Sequence, residues 1–379
     1  MRVLVAFDKF KDALTAAQAC EAAATALRAK HPGWTLDLCP LTDGGEGFCE
    51  TLTAAANGRL EHIEVSGPRG ATVNASIGYV AGRQLTAAVR DRLGLKPAGT
   101  LATIGMASAS GLELLPRNQR DPWRTCSYGT GELIHAAVQA GSDAILLGVG
   151  GSATNELGLG ALSALGLRFH DVGGEQLYVP TPEIWPDIDS LDRRKLMSLP
   201  PVFIACDVTN PLLGPRGATA TFGPQKGLKP DDLPRLETEM ARMASLLCAT
   251  CGQPLSLADL PGTGAAGGIA FGLMVACGAQ LVPGFDLVTE WLDLPARIAT
   301  ADLVLTGEGR FDATSLSGKG PGSLVATARR LGKTAHVFAG SLGVPTDDLH
   351  HAVTPPGLPL AEALPRTAEM LAAAVSRAL

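Results

Sequence analysis

The chain alternates between short apolar runs and glycine-rich polar segments, and this alternation predicts a parallel α/β fold. Residues 3–7 form a fully apolar run that predicts a buried strand, and Thr15 is placed to cap a helix that ends near Lys30. A second apolar run at 36–38 leads into a glycine-rich loop and another helix. Two consecutive strand-loop-helix units are typical of a parallel sheet with its polar loops along one edge.

The middle of the chain follows a different pattern. Residues 60–66 and 71–80 alternate apolar and polar positions around a turn, which predicts a β-hairpin. The strand-loop-helix order returns from Gly284. We therefore predict one discontinuous α/β domain, 1–58 with 285–379, and a second α/β domain, 59–284, inserted into it.

Composition limits the classes of partner. The 379 residues carry a net charge of −6 without a basic run, which argues against nucleic acid as the main ligand. No apolar stretch approaches the roughly 18 residues of a membrane span, so no membrane association is expected. The first residues lack the pattern of a signal peptide, and we expect a cytoplasmic protein with reduced cysteines.

The segment 148–153 matches the glycine pattern of nucleotide-binding loops, after a predicted strand and before a predicted helix. One interpretation is an NAD-dependent dehydrogenase, with Asp171 as the acid that binds the ribose. The other is a cradle for nucleotide phosphates. Its candidate residues are Gly150, Gly151, Ser152, Thr154 and Asn155.

Carboxylates recur among glycines or hydroxyls where predicted strands end. These residues are Asp8, Asp43 with Glu46, Asp207 with Asn210, and Glu308 with Asp312. The last two belong to the segment 303–320, which we predict as a strand followed by a loop from about residue 306. Several such loops suit Mg²⁺ and polyphosphate, because Mg²⁺ takes a few carboxylates together with waters and phosphates. Nearby cations that could offset phosphoryl charge are Lys11, Lys226, Arg310 and Lys319.

Nine stretches in order along the chain resemble the bacterial glycerate kinase family that phosphorylates D-glycerate at its 2-hydroxyl. They are DKFK at 8–11, LTDGGEG at 41–47, ASASGL at 107–112, GVGGSATN at 148–155, DVTNPLLGP at 207–215, FGPQKG at 222–227, GAAGG at 264–268, PGFD at 283–286 and TGEGRFD at 306–312. Three positions depart from the family pattern, since Lys9 stands where serine is usual, Asp12 where glycine is usual and Gly105 where a carboxylate is usual. The segment 84–100 is also longer than the family pattern.

The resemblance implies a Rossmann-like domain built from both chain ends, an inserted α/β domain, and an active site in the cleft between them. It implies ATP and Mg²⁺ as cofactors, D-glycerate as the substrate, 2-phosphoglycerate as the product, and a monomer or homodimer. A kinase for a related sugar acid and the dehydrogenase remain as alternatives.

Within this resemblance we assign roles as hypotheses. Arg310 would hold the glycerate carboxylate and Lys11 would face the transferred phosphoryl group, while Asp207 and Asp312 compete as the base. Asp43 and Asp207 are the predicted metal ligands. The remaining predicted substrate contacts are Asp8, Asp43, Gly44, Gly45, Glu46, Asn210, Glu308 and Lys319.

Overall fold

The computed structural model describes residues 1–313, 315–317, 320–344 and 347–379. The chain divides into two compact units. The terminal unit comprises Met1–Asp43 and Val288–Leu379, and the central unit comprises Gly44–Leu287. Each unit is built on a sheet of its own.

The sheets use strands from the whole length of the chain. These strands are β1 (Arg2–Phe7), β2 (Thr35–Leu38), β3 (Arg59–Ser66), β4 (Thr72–Ala81), β5 (Thr100–Gly105), β6 (Ala144–Gly148), β7 (Arg168–His170), β8 (Gln176–Leu177), β9 (Ser190–Asp192), β10 (Val202–Ala205), β11 (Gln280–Val282), β12 (Leu303–Phe311), β13 (Thr334–Leu342) and β14 (His350–Ala352).

Helices connect most of these strands. They are α1 (Ala16–Lys30), α2 (Phe48–Ala55), α3 (Ala87–Arg92), α4 (Ala107–Ser110), α5 (Tyr128–Gln139), α6 (Leu159–Ala164), α7 (Ala218–Phe222), α8 (Leu233–Cys251), α9 (Ala265–Cys277), α10 (Gly284–Trp291), α11 (Leu294–Thr300), α12 (Gly320–Arg330), α13 (Leu360–Ala363) and α14 (Thr367–Ala378). Among the described helices, none combines the length and the apolar character needed to cross a bilayer.

The terminal unit contains a five-stranded sheet in the order β14-β13-β12-β1-β2, with every neighbouring pair parallel. Its carboxyl ends therefore meet at one edge, and the predicted α/β class is confirmed. Helix α1 begins as predicted: Thr15 Oγ1 accepts from Gln18 N at 3.2 Å, and Gln18 Oε1 accepts from Thr15 N at 2.9 Å. Such a capping box satisfies two backbone donors and stabilises the helix by about 1 kcal/mol.

The central unit contains a six-stranded sheet in the order β11-β10-β6-β5-β4-β3. The pairs from β11 to β5 are parallel, whereas β4 is antiparallel to both neighbours, so the predicted β3–β4 hairpin is confirmed. Strand β7 lies in a separate antiparallel sheet with β8 and β9.

The first unit boundary differs from the one predicted after residue 58. Helix α2 belongs to the central unit because its side chains bond strand β5. Thr53 Oγ1 lies 2.9 Å from Thr103 Oγ1, and Cys49 Sγ lies 3.2 Å from the Thr103 carbonyl. The return to the terminal unit comes after Leu287, close to the predicted residue 285.

The predicted loop from about residue 306 is wrong in its first part. Strand β12 continues through Phe311, and its register with β13 pairs Glu308 with Ala339 and Arg310 with Ser341. Glycine is required in this strand, because a Cβ on Gly307 would collide with the Phe338 carbonyl. Glu308 and Arg310 therefore project from a sheet strand, which fixes them more firmly than a loop does.

Candidate functional site

The ends of β1 and β2 bring three charged residues together in the terminal unit. Asp8 follows β1 directly and is only 7% exposed, and its Oδ1 accepts a hydrogen bond from Lys9 N at 2.7 Å. Lys9 Nζ forms an ion pair with Asp43 Oδ1 at 3.0 Å. The parallel register places both segments at the carboxyl edge of the sheet, where α/β proteins bind ligands.

Strand β12 adds a buried carboxylate and an exposed guanidinium to this edge. Burial raises the pKa of Glu308, whereas a hydrogen bond from Ser315 lowers it. Its Oε1 is buried and has no hydrogen-bond partner among the described residues. Arg310 is 73% exposed and its Nε lies 3.1 Å from Asp312 Oδ2.

The carboxylates at this edge influence one another. Burial, together with the negative charges of Asp43 and Glu308, raises the pKa of Asp8 to about 7, although the positive charge of Lys9 opposes this rise. Carboxylates held this close repel each other when all are ionised. The edge is therefore suited to a cation, or to a proton shared within the group.

A cavity of about 780 Å³ opens over this edge of the terminal unit. Five predicted site residues line it: Asp8, Lys11, Asp43, Glu308 and Arg310. The Lys11 side chain is exposed and makes no ion pair within the described parts of the chain. A cavity of this volume has room for a small organic anion together with a bound ion and waters.

The central unit brings a second set of predicted residues together. Gly150 N donates to the Gly44 carbonyl at 2.9 Å, and a Cβ on Gly150 would lie 2.7 Å from Gly45 Cα. Gly151 has φ +71°, and a Cβ there would collide with Glu46 Oε1. Gly150 therefore packs backbone to backbone against Gly45, which only glycine permits, whereas Gly151 has a positive φ that favours glycine and lies against the Glu46 side chain.

Asp207 follows β10 at the same edge of the central sheet. Its Oδ1 accepts a hydrogen bond from Phe285 N at 3.1 Å, so this carboxylate orders the start of α10. Asn210 uses its side-chain amide inside its own loop, where Nδ2 donates to the Arg216 carbonyl at 2.7 Å. The backbone carbonyl oxygen of Asn210 accepts a hydrogen bond from Gly264 N at 3.0 Å.

The predicted nucleotide loop combines accessible and buried residues. Gly151 is exposed, whereas the side chains of Thr154 and Asn155 are 0% exposed. Asn155 Nδ2 donates to Thr219 Oγ1 at 3.2 Å, which ties the loop to α7. Thr154 and Asn155 therefore support the loop, Ser152 is also buried, and the surface open to a ligand is formed by Gly150 and Gly151.

The dinucleotide interpretation requires Asp171 to follow a neighbouring strand of the same parallel sheet. In the structure Asp171 follows β7, which lies in the small antiparallel sheet and does not pair with β6. Its Oδ1 accepts from Glu175 N at 2.8 Å and so closes a local turn. The geometry gives no support to a ribose-binding role.

The structure gives little information on two predictions, the role of Lys319 and the pair of metal ligands. Lys319 lies outside the described residues. Asp43 and Asp207, the predicted metal ligands, lie in different units of the chain. Among the described residues, no group of three or more His, Cys, Asp or Glu side chains is arranged to hold a metal ion.

Lys226, which contacts the nucleotide loop, was noted in the sequence only as a nearby cation and received no place in the predicted site.

Comparisons with known proteins agree on one family. The model of the glycerate kinase family matches residues 3–378. A glycerate kinase of Bacillus subtilis is 35% identical over 98% of this chain and 95% of its own length. A glycerate 2-kinase of Escherichia coli is 38% identical over 92% of this chain and 87% of its own. The crystal structure of a putative glycerate kinase 2 from Salmonella typhimurium superposes with a TM-score of 0.76 at 38% identity, covering 100% of this chain and 96% of that one.

Proposed function

Because the chain belongs to the glycerate kinase family and is a kinase, we propose that it transfers the γ-phosphoryl group of ATP to the 2-hydroxyl of D-glycerate. The products would be 2-phosphoglycerate and ADP, and the reaction would need Mg²⁺. The observation that carries this proposal is the cavity of the terminal unit, where carboxylates and cations from separate segments line one space.

In this proposal Arg310 binds the carboxylate of glycerate. Its guanidinium is exposed at the cavity and can form two parallel hydrogen bonds to a carboxylate. The carbon that bears the 2-hydroxyl is bonded directly to that carboxylate. The 2-hydroxyl would therefore lie closer to the neighbours of Arg310 than the 3-hydroxyl would.

This geometry bears on which aspartate is the base. Asp312 is ion-paired to Arg310 at 3.1 Å, whereas one oxygen of Asp207 is occupied by a backbone amide. We favour Asp312 as the group that accepts the 2-hydroxyl proton, with Lys11 placed to offset charge on the transferred phosphoryl group.

The carboxylates of the terminal unit fit a divalent cation. Glu308 Oε1 is buried without a partner among the described residues, and the negative charges of Asp43 and Glu308 raise the pKa of Asp8. A bound cation would give Glu308 Oε1 a partner and would compensate the negative charges around Asp8. Asp43 would hold Mg²⁺ together with Glu308, and bound Mg²⁺ would neutralise phosphate charge.

The glycine loop of the central unit is the proposed site for ATP. The backbone at Gly150 and Gly151 is held against the loop 44–47, and Ser152 follows with its hydroxyl. A rigid backbone free of side chains lets phosphate oxygens approach the amides closely. Glu46 lies against Gly151 and is a second candidate for contact with a metal ion or ligand.

The test is ADP release, measured by a coupled assay with Mg²⁺-ATP and a panel of acceptors. We expect D-glycerate to give the highest kcat/KM, with L-glycerate and four-carbon sugar acids far below it. A four-carbon acid as the best acceptor would retain the kinase and replace the substrate. Absence of turnover with every acid in the panel would reject the proposal.

A further inference from the structure

Lys226 is the most deeply buried lysine of the central unit that the structure describes, and the proposed mechanism does not use it. The residue is 1% exposed and ends a short turn, Pro224–Lys226, that follows α7. Its Nζ donates hydrogen bonds to Ser152 Oγ at 2.8 Å and to the Thr154 carbonyl at 2.5 Å. The ammonium therefore lies beneath the glycine loop and bonds it at two points.

Burial of an ammonium is costly, so its location calls for a reason. Moving such an ion out of water costs several kcal/mol even after the protein relaxes. Burial lowers the pKa of Lys226, and the negative charge of Glu156 raises it. An apolar side chain of similar length would fill the same space without that cost, so packing alone does not account for the charge.

The contacts of Lys226 constrain the backbone of the loop. One bond holds the Ser152 hydroxyl, and the other fixes the direction of the peptide that follows Thr154. Lys226 can donate three hydrogen bonds, and only these two partners are found among the described residues.

A second buried ionisable side chain follows the loop directly. Glu156 is 0% exposed, and its two carboxylate oxygens accept from Gly158 N at 3.0 Å and from Gly160 N at 2.6 Å. Glu156 therefore orders the turn that begins α6, next to the residues that Lys226 bonds. Both side chains bond main-chain atoms, which favours a loop conformation that is fixed before a ligand arrives.

We propose that Lys226 is a positioning residue that holds Ser152 and the Thr154 peptide in the conformation that binds the phosphate groups of ATP. The inference rests on the proposed function of this loop. Because Lys226 acts through its neighbours, its loss should weaken nucleotide binding more than it slows turnover at saturating ATP.

The experiment compares Lys226→Met with Lys229→Met, a matched control at an exposed lysine three residues away. We measure the dissociation constant of Mg²⁺-ADP by calorimetry and both KM values by coupled assay. For Lys226→Met we expect the ADP dissociation constant and the KM for ATP to rise at least about tenfold, equivalent to about 1.4 kcal/mol. The KM for D-glycerate should stay within about twofold, and Lys229→Met should match the unmodified protein.

A second variant keeps the inference testable if Lys226→Met does not fold. Ser152→Ala removes a hydroxyl that Lys226 bonds and leaves the ammonium in place. We expect it to weaken ADP binding, and unchanged ADP affinity in Ser152→Ala would overturn the positioning role even without Lys226→Met. If Lys226→Met folds, the effects of the two substitutions should be less than additive in the double variant. Additive effects would show that the two residues act separately and would overturn the positioning role.

The outcomes separate this inference from the proposed function. Unchanged ADP affinity in folded Lys226→Met overturns the role of Lys226 and leaves the kinase proposal standing. A rise confined to the KM for D-glycerate overturns the assignment of the loop to nucleotide. Failure of the unmodified protein to bind ADP overturns both.

Discussion

The ammonium of Lys9 lies 3.0 Å from Oδ1 of Asp43, and this ion pair joins the segments that follow two neighbouring strands of the terminal sheet. Asp8 lies beside the pair, and its pKa responds to both partners, since Asp43 raises it and Lys9 lowers it. The charge state of Asp8 is thus set by burial first, and then by the opposing charges of Asp43 and Lys9.

The first prediction concerns the pH dependence of stability. The folded protein holds the Asp8 proton up to a pH of about 7, whereas an ordinary aspartate has a pKa of 3.8. Ionisation of Asp8 therefore lowers the free energy of unfolding as pH rises between these values, by at most about 4 kcal/mol. Asp8→Asn removes this loss, so the variant should gain stability relative to the unmodified protein from pH 4 to pH 7, with no further change above.

Urea unfolding at a series of pH values measures this difference. Asp348→Asn, at an exposed position of the same unit, is the control and should follow the unmodified protein at every pH. A constant difference between Asp8→Asn and the unmodified protein across the series would contradict the raised pKa.

Asp12 carries a strained backbone. Its φ is +62°, a conformation that L-residues rarely adopt, and the family pattern usually has glycine there. Asp12→Gly should therefore raise the free energy of unfolding by about 1 kcal/mol, while Asp12→Ala should give no gain because alanine meets the same steric restriction. Denaturant midpoints measure both, and equal stability of the two variants would show that the left-handed conformation is not the cause.

Arg310 tests the carboxylate site. Arg310→Ala should raise the KM for D-glycerate at least about tenfold and leave the KM for ATP within about twofold, because one charged partner of the substrate is lost. Arg377→Ala, at an exposed position in α14, is the matched control. Parallel rises in both KM values would remove Arg310 from the proposed carboxylate site.

Gly151 tests the stacking of the two loops in the central unit. Gly151 and Gly174 both have positive φ, but a Cβ on Gly151 would collide with Glu46 whereas one on Gly174 would meet nothing within 4 Å. Alanine at either position should cost about 1 kcal/mol of stability through its backbone. Only Gly151→Ala should also weaken Mg²⁺-ADP binding, by about tenfold or more, in calorimetric titration. Equal ADP affinity in the two variants would show that neither Gly151 nor its contact with Glu46 contributes to nucleotide binding.

Local patterns predicted much of the fold. The apolar runs, the helix cap at Thr15 and the alternation around the β3–β4 turn are short-range signals, and each corresponds to an observed element. The predicted strand ends before the observed end of β12, because glycine ordinarily marks a loop. Its partner β13 lies later in the chain, and the close approach that requires Gly307 arises only in the folded sheet.

The sequence predicted only part of the candidate site, because the rest depends on contacts between segments far apart in the chain. Carboxylates after strands are visible in a sequence, and the parallel topology then brings Asp8, Asp43 and Glu308 to one cavity. The burial of Lys226 and the contact between Gly45 and Gly150 depend on segments far apart in the chain, so a single sequence gave no signal for either. Burial is likewise set by distant segments, so the sequence did not show that Ser152, Thr154 and Asn155 are buried while Gly151 is exposed.

The identity of the phosphorylated product tests the central claim most directly. The reaction mixture from Mg²⁺-ATP and D-glycerate is analysed by ³¹P nuclear magnetic resonance and by direct coupling to enolase without a mutase. We predict that 2-phosphoglycerate forms in equal amount to ADP and that enolase consumes it at once. Accumulation of 3-phosphoglycerate, or ADP release without a phosphorylated acid, would contradict the account.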